Sequence, residues 1–315
     1  MDQLRAMRVF SRVIEAGGFA KAAVAMDIAP AVATRLVAEL EEHLGARLIN
    51  RTTRRLALTD VGEDYLERVR SILSEVDDAE AVAGLAATEA RGRLSVLSPP
   101  GFTVHQLAKH LPRFRALHPK VSLELTVSSS ADTPDENHDL TIIVQRGRPI
   151  EGAFIARRIA TAEVVLCATP EYLEQHGRPK HPRDLADHDT LMPLPASEQR
   201  ELTFRPAWGN GEPAVVELKK LPPLTTTHTD TLYAAALAGL GIAGLPSFMA
   251  EDALLEQALE RVLPQWHMRT LTLFAAMPTR KHVPMRTRAF VDFLVATFGQ
   301  NQRDPWLASA GCESC

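Results

Sequence analysis

The 315-residue sequence predicts an α/β protein in which a small helical head precedes a larger α/β body. Residues 1–58 contain three short helix patterns and a basic hairpin, and residues 59–90 form one long amphipathic pattern. Strand-like and helix-like segments then alternate over residues 91–300, which is typical of an α/β domain. The length suits two domains, or one small and one bipartite domain, and the 45% hydrophobic content is sufficient for a sizeable core.

The head begins with three predicted helices. The apolar face of the first helix, residues 3–15, consists of Met7, Phe10, Val13 and Ile14. Gly17 and Gly18 end it, and an alanine-rich second helix spans Phe19–Met26. Pro30 starts the third helix because proline is favoured at a first helical position, and Gly45 ends it. The core face of this third helix consists of Leu36, Val37, Leu40 and Leu44.

A basic hairpin follows. The apolar pairs Leu48/Ile49 and Leu56/Leu58 flank the segment NRTTRR, which predicts two short strands forming a wing. The head therefore reads as a winged helix-turn-helix. In such a head the third helix enters the major groove of DNA and the basic side chains meet phosphate.

The long helix is predicted to pair with a partner helix. Thr59 is its expected N-cap, and the acids at 60, 63 and 64 suit the positive end of the helix dipole. Apolar residues recur at alternating steps of four and three: Tyr65, Val69, Ile72, Val76, Ala79, Ala83 and Ala86. This spacing favours a dimerising helix, and a helix packed on its own domain is the alternative.

The body is predicted to contain a mostly parallel sheet, because strands and helices alternate. Its first strands are RLSVLS, VSLELTVSS and DLTIIVQ, with the helix-like HQLAKHLPRFRALHP between the first two. The uncharged segment 231–250 is about as long as a membrane span. Its glycines and Pro246 break it into a helix and a short strand, so no membrane partner is expected. The polar tail, residues 301–315, is expected to be loose.

The charge distribution favours local contact with nucleic acid. Residues 1–60 carry nine basic and seven acidic side chains, whereas the whole chain has a net charge of −4. The N-terminal segment lacks the uninterrupted apolar core of a signal peptide, and three cysteines do not make a disulfide framework. A cytoplasmic protein is therefore expected.

Other motifs carry no chemistry. GLGIAG at 239–244 ends a helix and precedes a strand, the reverse of the context that a dinucleotide fingerprint needs. His176, His181 and His188 lack nearby partners at metal spacing, and Cys312 and Cys315 are only two potential ligands in a tail. No catalytic arrangement, metal site or cofactor site is predicted, so the chain is not expected to be an enzyme.

Several segments together resemble the LysR-type transcriptional regulators over nearly the whole chain. The segments are MDQLRAMRVFSRVIEAGGFAKAA, AVATRLVAELEEHLGARLINRTTRRLALTDVG, RLSVLSPPGF, ATPEYLEQHGRPKHPRDLADHD and ALAGLGIAGLP. The resemblance implies a winged helix-turn-helix at 1–58 and a dimerising linker helix at 59–90. It also implies a two-lobed, periplasmic-binding-protein-like effector domain at 91–300. Lobe I would comprise 91–162 and 268–300, and lobe II 163–267. A homotetramer is implied by the resemblance alone.

The sequence departs from the family pattern at several positions. Gly18, Ala29 and Thr34 stand where serine is usual, which weakens the case for phosphate capping by hydroxyls. Ile143 and Gln145 replace a common arginine and glycine, so the effector chemistry is not transferable from relatives.

For DNA, the candidate contacts are Lys21, Pro30, Ala31, Thr34, Arg35, Arg51, Arg54 and Arg55. Arg35 can donate bidentately to guanine, and Thr34 can contact a base or a phosphate. Arg54 is expected to reach phosphate or a minor groove. The alternative is that these arginines form surface ion pairs with Glu39, Glu41 and Glu42.

For the effector, strand ends facing the cleft between the lobes are the candidates, because open α/β sheets bind ligands there. They are Ser98, Pro99, Pro100, Gly101, Phe102, Ser128, Ser129, Gln145, Arg146, Thr229 and Asp230. Arg146, the hydroxyls and a helix N-terminus suggest a small organic acid, whereas Asp230 opposes an anion. Ser98 and Thr229 could equally be helix caps.

The leading hypothesis is a transcription factor that binds double-stranded DNA and responds to a small molecule. A solute-binding or enzymatic α/β protein with an incidental helical head is the alternative, and a DNA-organising protein without effector response is a third possibility.

Overall fold

The computed structural model describes residues 2–51, 56–83, 89–129, 132–146, 152, 154–193, 201–206, 212–278, 283–299 and 304–312. The chain divides into two compact units, Met1–Glu89 and Ala90–Cys315. Each unit has its own hydrophobic core.

The first unit is a winged helix-turn-helix followed by a long helix, as the sequence predicts. Its elements are α1 Gln3–Glu15, α2 Phe19–Ala25, α3 Pro30–Leu44, β1 Ile49–Arg51, β2 Leu56–Leu58 and α4 Asp60–Ala83. Pro30 is the first residue of α3, and Gly45 ends that helix in the left-handed conformation at φ 64°. Strands β1 and β2 pair antiparallel, with Ile49 opposite Leu58.

The first turn of α4 is tied to the hairpin. Thr59 Oγ1 accepts a hydrogen bond from Gly62 N at 2.9 Å and donates one to the carbonyl oxygen of Arg47 at 2.7 Å. Thr59 N also donates to the carbonyl oxygen of Leu48 at 3.0 Å. The predicted N-cap is therefore present, and it holds α4 against the start of β1.

The N-terminal half of α4 packs on its own unit. Val69 is fully buried and forms a cluster with Leu73 and with Met7 of α1. Val69 therefore belongs to an intramolecular core and not to the predicted partner-facing seam, because α1 already fills the space beside it. Ile72, the next position of the predicted seam, three residues after Val69, is 42% exposed. The seam positions Ala79 and Ala83 lie where side chains are not described, and Ala86 lies outside the described residues.

The second unit contains a nine-stranded sheet and a three-stranded sheet among its described residues. Its strands are β3 Gly92–Ser98, β4 Val121–Val127, β5 Leu140–Gln145, β6 Ile155–Ala168, β7 Thr190–Pro193, β8 Glu201–Pro206, β9 Ala214–Glu217, β10 Thr225–Thr226, β11 Ile242–Pro246, β12 Glu260–Val262, β13 Trp266–His267 and β14 Thr270–Met277. Its helices are α5 Pro100–Phe102, a π-helical turn Thr103–Leu107, α6 Ala108–Leu117, α7 Pro170–His176, a 3₁₀ helix Pro182–Asp187, α8 Thr229–Leu237, α9 Ser247–Leu255, α10 Met285–Phe298 and α11 Pro305–Ser309.

The large sheet is mixed, which corrects the prediction of a mostly parallel sheet. Strand β3 pairs parallel with β4 and β5, and β7 pairs parallel with β10 and β11. At its centre, however, β14 runs antiparallel to both β5 and β6, and β6 runs antiparallel to β11 and β12. The sheet is mixed because β6 and β14 pass through its middle in opposite directions.

Strand β6 divides this unit into two lobes. Its residues 155–163 pair with β14, and its residues 164–167 pair with β11. Lobe I, on the β14 side, has a core that includes Phe102, Phe114 and Phe290. The cores of lobe II, on the β11 side, include Val165, Leu245 and Phe204. We call the step from Glu163 to Val164 the lobe crossing.

The predicted loose tail is wrong for residues 304–312. Asp304 Oδ1 accepts hydrogen bonds from Trp306 N and Leu307 N, and so caps α11. Trp306 is 2% exposed and Leu307 is fully buried. Two apolar residues in a polar segment make too weak a pattern for prediction, although both are inserted into cores formed by residues far away in the chain.

The uncharged segment 231–250 divides into the end of α8, strand β11 and the start of α9. Among the described residues, no helix combines the length and apolar character that a membrane crossing needs.

Candidate DNA interface and effector site

The predicted DNA-contacting residues of α3 lie on one exposed face. Ala31 and Arg35 are exposed and Thr34 is half-buried, and they occupy positions i, i+3 and i+4 of the helix. The opposite face is formed by Leu36, Val37 and Leu40, which are buried in the head core. Burial of one face thus determines which side of α3 can meet a partner.

Two side chains on this face already have partners. Thr34 Oγ1 donates a hydrogen bond to the carbonyl oxygen of Pro30 at 3.0 Å. Arg35 Nε lies 3.6 Å from Glu39 Oε1, with the two side chains 69% and 40% exposed. The ion pair considered as the alternative therefore exists for Arg35. An exposed pair of this kind contributes roughly 0–1 kcal/mol, so it holds the guanidinium of Arg35 only weakly.

The hairpin arginines are only partly described. The backbone of Arg51 ends β1, but its side chain is not described, and Arg54 and Arg55 lie outside the described residues. Lys21 is exposed on α2. Arg47, which belongs to the same basic segment of the sequence, is also exposed at the base of the hairpin.

Glu41 positions the hairpin, a role that sequence reading missed. Its Oε1 accepts hydrogen bonds from Leu48 N at 2.9 Å and Ile49 N at 3.0 Å. The sequence suggested an ion pair between Glu41 and an arginine. The carboxylate fixes the start of β1 to α3, and no local pattern signals a contact across seven or eight residues.

The ends of β3 and β4 meet, as predicted. Ser128 N donates to the carbonyl oxygen of Ser98 at 3.1 Å. Ser98 is fully buried, and its Oγ lies 2.6 Å from Thr103 Oγ1, so it is bonded within the protein and is not a helix cap. Ser128 is half-buried and Ser129 is exposed.

The third strand ends close by. Gln145 is the last residue of β5 and is half-buried, and Arg146 is exposed. Strand β5 pairs parallel with β3, so the carboxyl ends of both strands lie at the same edge of lobe I. Hydroxyl, amide and guanidinium groups are thereby collected at that edge.

The helix that starts after β3 is packed against lobe II. Pro99 and Pro100 are half-buried, and Pro99 occupies the N-cap position without a side-chain hydrogen bond. Gly101 approaches Met249 so closely that a Cβ would lie 2.7 Å from its Sδ. Phe102 is fully buried in an aromatic cluster with Phe248, Phe298 and Trp306. The prediction that Phe102 faces the effector is therefore wrong, because the side chain points into the core.

Thr229 and Asp230 begin α8 and are half-buried. Asp230 Oδ1 lies 3.1 Å from His105 Nε2 in the π-helical turn of lobe I, and Asp230 Oδ2 lies 3.7 Å from His228 Nε2. The His105 ring also packs edge-on against Tyr233, with centroids 4.8 Å apart. His105 was not predicted, since a single histidine in a helix carries no signal of a partner 125 residues away.

Two histidines that the sequence analysis set aside as metal ligands make contacts within the protein, and the thiol of Cys167 is buried. His176 Nδ1 lies 3.0 Å from the carbonyl oxygen of Tyr172, and His181 caps the 3₁₀ helix. Burial raises the pKa of the Cys167 thiol to about 12, which disfavours the nucleophilic thiolate. Among the described residues no group of three or more histidines, cysteines or carboxylates is placed to hold a metal.

The chain matches two family models. Residues 4–63 match the bacterial regulatory helix-turn-helix protein, lysR family, and residues 87–299 match the LysR substrate binding domain. The HTH-type transcriptional regulator YhjC of Escherichia coli is 33% identical over 93% of this chain and 97% of its own length. CrgA of Neisseria meningitidis, another HTH-type transcriptional regulator, is 32% identical over 94% of this chain and 97% of its own length.

Solved structures agree. The structure of CrgA, a LysR-type transcriptional regulator, has a TM-score of 0.58 at 30% identity and covers 94% of this chain and 99% of that one. The structure of the full-length virulence activator AphB of Vibrio cholerae has a TM-score of 0.56 at 26% identity, and it covers 93% of this chain and 98% of that one. The named relatives are transcriptional regulators, which supports the transcription-factor hypothesis over the enzymatic alternative. With a matching head, a matching effector domain and relatives along nearly its whole length, the chain belongs to the LysR family of transcriptional regulators.

Proposed function

We propose that this regulator reads its operator mainly through Ala31, Thr34 and Arg35. The single observation that carries this proposal is the exposed face of α3, whose opposite face is buried. Pro30 would approach the groove at the start of α3. Lys21 and the hairpin arginines Arg51, Arg54 and Arg55 would neutralise phosphates, which makes affinity depend on salt.

We further propose a dimer as the DNA-binding form, with a tetramer as its assembled state. Two heads would then occupy two half-sites of a pseudo-palindromic operator. The described part of α4 leaves Ile72 exposed beyond the intramolecular contacts of Val69. An exposed apolar residue beside a buried one favours a partner at the C-terminal half of this helix.

The effector is proposed to be a small organic acid bound where the lobe I strand ends face the start of α8. The proposed contacts are Ser128, Gln145, Arg146 and Thr229. Ser128, Gln145 and Thr229 are half-buried, and Arg146 is exposed. Asp230 no longer argues against an anion, since its carboxylate is engaged by His105. Ser98 would act indirectly, through Ser128 and Thr103.

A thermal-shift screen of small carboxylic acids tests this assignment. A ligand at 100 times its Kd stabilises the native state by about 2.7 kcal/mol, which is measurable as a higher melting temperature. We expect the shift produced by the active acid to be lost or strongly reduced in Ser128→Ala.

Ser122→Ala is the matched control, because Ser122 is exposed at the opposite end of the same strand. It should retain the full shift. An acid that raises the melting temperature of both variants equally would rule Ser128 out of the site. If only amines or sugars raised the melting temperature, the proposed ligand class would be overturned.

A further inference from the structure

Two consecutive residues of the C-terminal segment are inserted into the cores of different lobes. Trp306 belongs to the cluster that forms the lobe I core. It packs there against Phe298 of α10 and against Phe248, which α9 contributes from lobe II, with ring centroids 5.8 and 5.6 Å away. Leu307, fully buried, belongs to the lobe II core. A helix of five residues thus contacts both lobes through adjacent side chains.

The residue before this helix is bonded to the lobe crossing. Asp304 is 2% exposed, and its Oδ2 accepts a hydrogen bond from Glu163 N at 2.6 Å. Its Oδ1 accepts from Trp306 N at 3.0 Å and from Leu307 N at 3.2 Å. Burial raises the pKa of the Asp304 carboxyl group, so the charged form is costly here. The three backbone N–H donors offset this cost. One of them belongs to Glu163, the last residue of β6 that pairs with β14.

The crossing is also held from its other side. The Glu163 side chain, 6% exposed, lies 3.6 Å from Arg261 Nη2 and 4.0 Å from His267 Nδ1. At the far end of α11, Ser309 Oγ contacts Glu251 on α9, and Glu251 Oε2 accepts from Gln106 Nε2 of lobe I at 2.7 Å. Residues 304–309 therefore extend from the crossing to a side chain that joins the two lobes.

We propose that residues 304–309 form a strap that fixes the angle between lobes I and II. The segment lies beyond residue 299, where the match to the family's effector-domain model ends, so it adds to that domain. An effector acts only through unequal affinity for two arrangements of the lobes. The strap favours one of them, and thereby sets the effector concentration needed for a response. This last step rests on the proposed effector function, whereas the mechanical role of the strap does not.

Interlobe distance in the full chain is the direct measurement. Spin labels introduced through unnatural amino acids at Ala116 on α6 and Glu174 on α7 report on exposed sites of lobe I and lobe II without using the native cysteines. In Asp304→Asn, the amide oxygen can still cap α11, but the amide nitrogen cannot accept from Glu163 N. We expect the width of the distance distribution to increase at least twofold, and the Glu163 amide to exchange with deuterium at least tenfold faster.

Thr169→Ala is the control, because Thr169 caps α7 through Tyr172 N within lobe II alone. It should leave the distance distribution and the Glu163 exchange unchanged. Ser309→Ala is a milder second variant, expected to broaden the distribution without lowering the melting temperature. An unchanged distribution in both Asp304→Asn and Ser309→Ala would overturn the strap. The interlobe distance and the amide exchange are measured without DNA or an effector. Their results therefore test the strap independently of the proposed function.

Discussion

Gly62→Ala is expected to destabilise the head strongly while leaving the stability of the second unit unchanged. An added Cβ would lie 2.0 Å from the carbonyl oxygen of Leu48 and 2.9 Å from its carbonyl carbon. Both atoms are backbone and are fixed by the contacts of Thr59 and Glu41 with the hairpin. Relieving the clash must separate α4 from β1, which we expect to cost about 3 kcal/mol or more. For a unit of this size that lowers the melting temperature by roughly 12 °C or more.

Differential scanning calorimetry should therefore show the head transition shifted down and the transition of the second unit unchanged. Gly18→Ala is the matched control. Gly18 has extended backbone at φ 164°, and no atom lies within 4 Å of an added Cβ. The head of the Gly18→Ala variant should therefore melt within about 2 °C of the parent's head. A Gly62→Ala protein with the parent's head transition would contradict the packing of β1 on α4.

Arg35→Ala is expected to lower affinity for the operator about 5- to 150-fold. The side chain is 69% exposed on the proposed DNA-facing side of α3, and a bidentate contact with guanine is worth roughly 1–3 kcal/mol. Affinity for unrelated duplexes should fall much less, because phosphate contacts elsewhere are retained. Fluorescence anisotropy at one fixed salt concentration, with specific and unrelated duplexes, separates the two effects.

Glu39→Gln supplies the control for Arg35. The change removes the charged partner 3.6 Å from Arg35 Nε while preserving the shape of the side chain. Operator affinity should stay equal or increase, since the guanidinium no longer has to leave an ion pair. Equal affinity of the parent and Arg35→Ala for the operator would remove Arg35 from the interface.

Local features of the head were predictable, and contacts between distant segments were not. The ends of α3 at Pro30 and Gly45 follow from the backbone preferences of those two residues. The packing of Val69 on Met7 depends on how α1 meets α4, which the periodicity of α4 alone does not contain. Its apolar spacing is therefore compatible with both an internal and an external partner.

The effector unit shows the same division. The positions of β3 and β4 follow from alternating apolar residues, and that of β5 from a short apolar run. Strand direction, however, depends on where β6 and β14 enter the sheet. The position of Phe102 just after β3 suggested a ligand contact, but its side chain is surrounded by core residues. The pair His105 and Asp230 joins residues 125 positions apart, and neither residue is unusual in its own segment.

Selection of bound duplexes from a random pool, followed by footprinting of the full-length protein, tests the central claim most directly. A regulator that presents two copies of α3 should enrich a pseudo-palindrome whose half-sites lie about 10 base pairs, or a multiple of that distance, apart. The footprint should cover both half-sites together and be lost with Arg35→Ala. Enrichment of no sequence, or a footprint unaffected by Arg35→Ala, would contradict the proposed reading of DNA by α3.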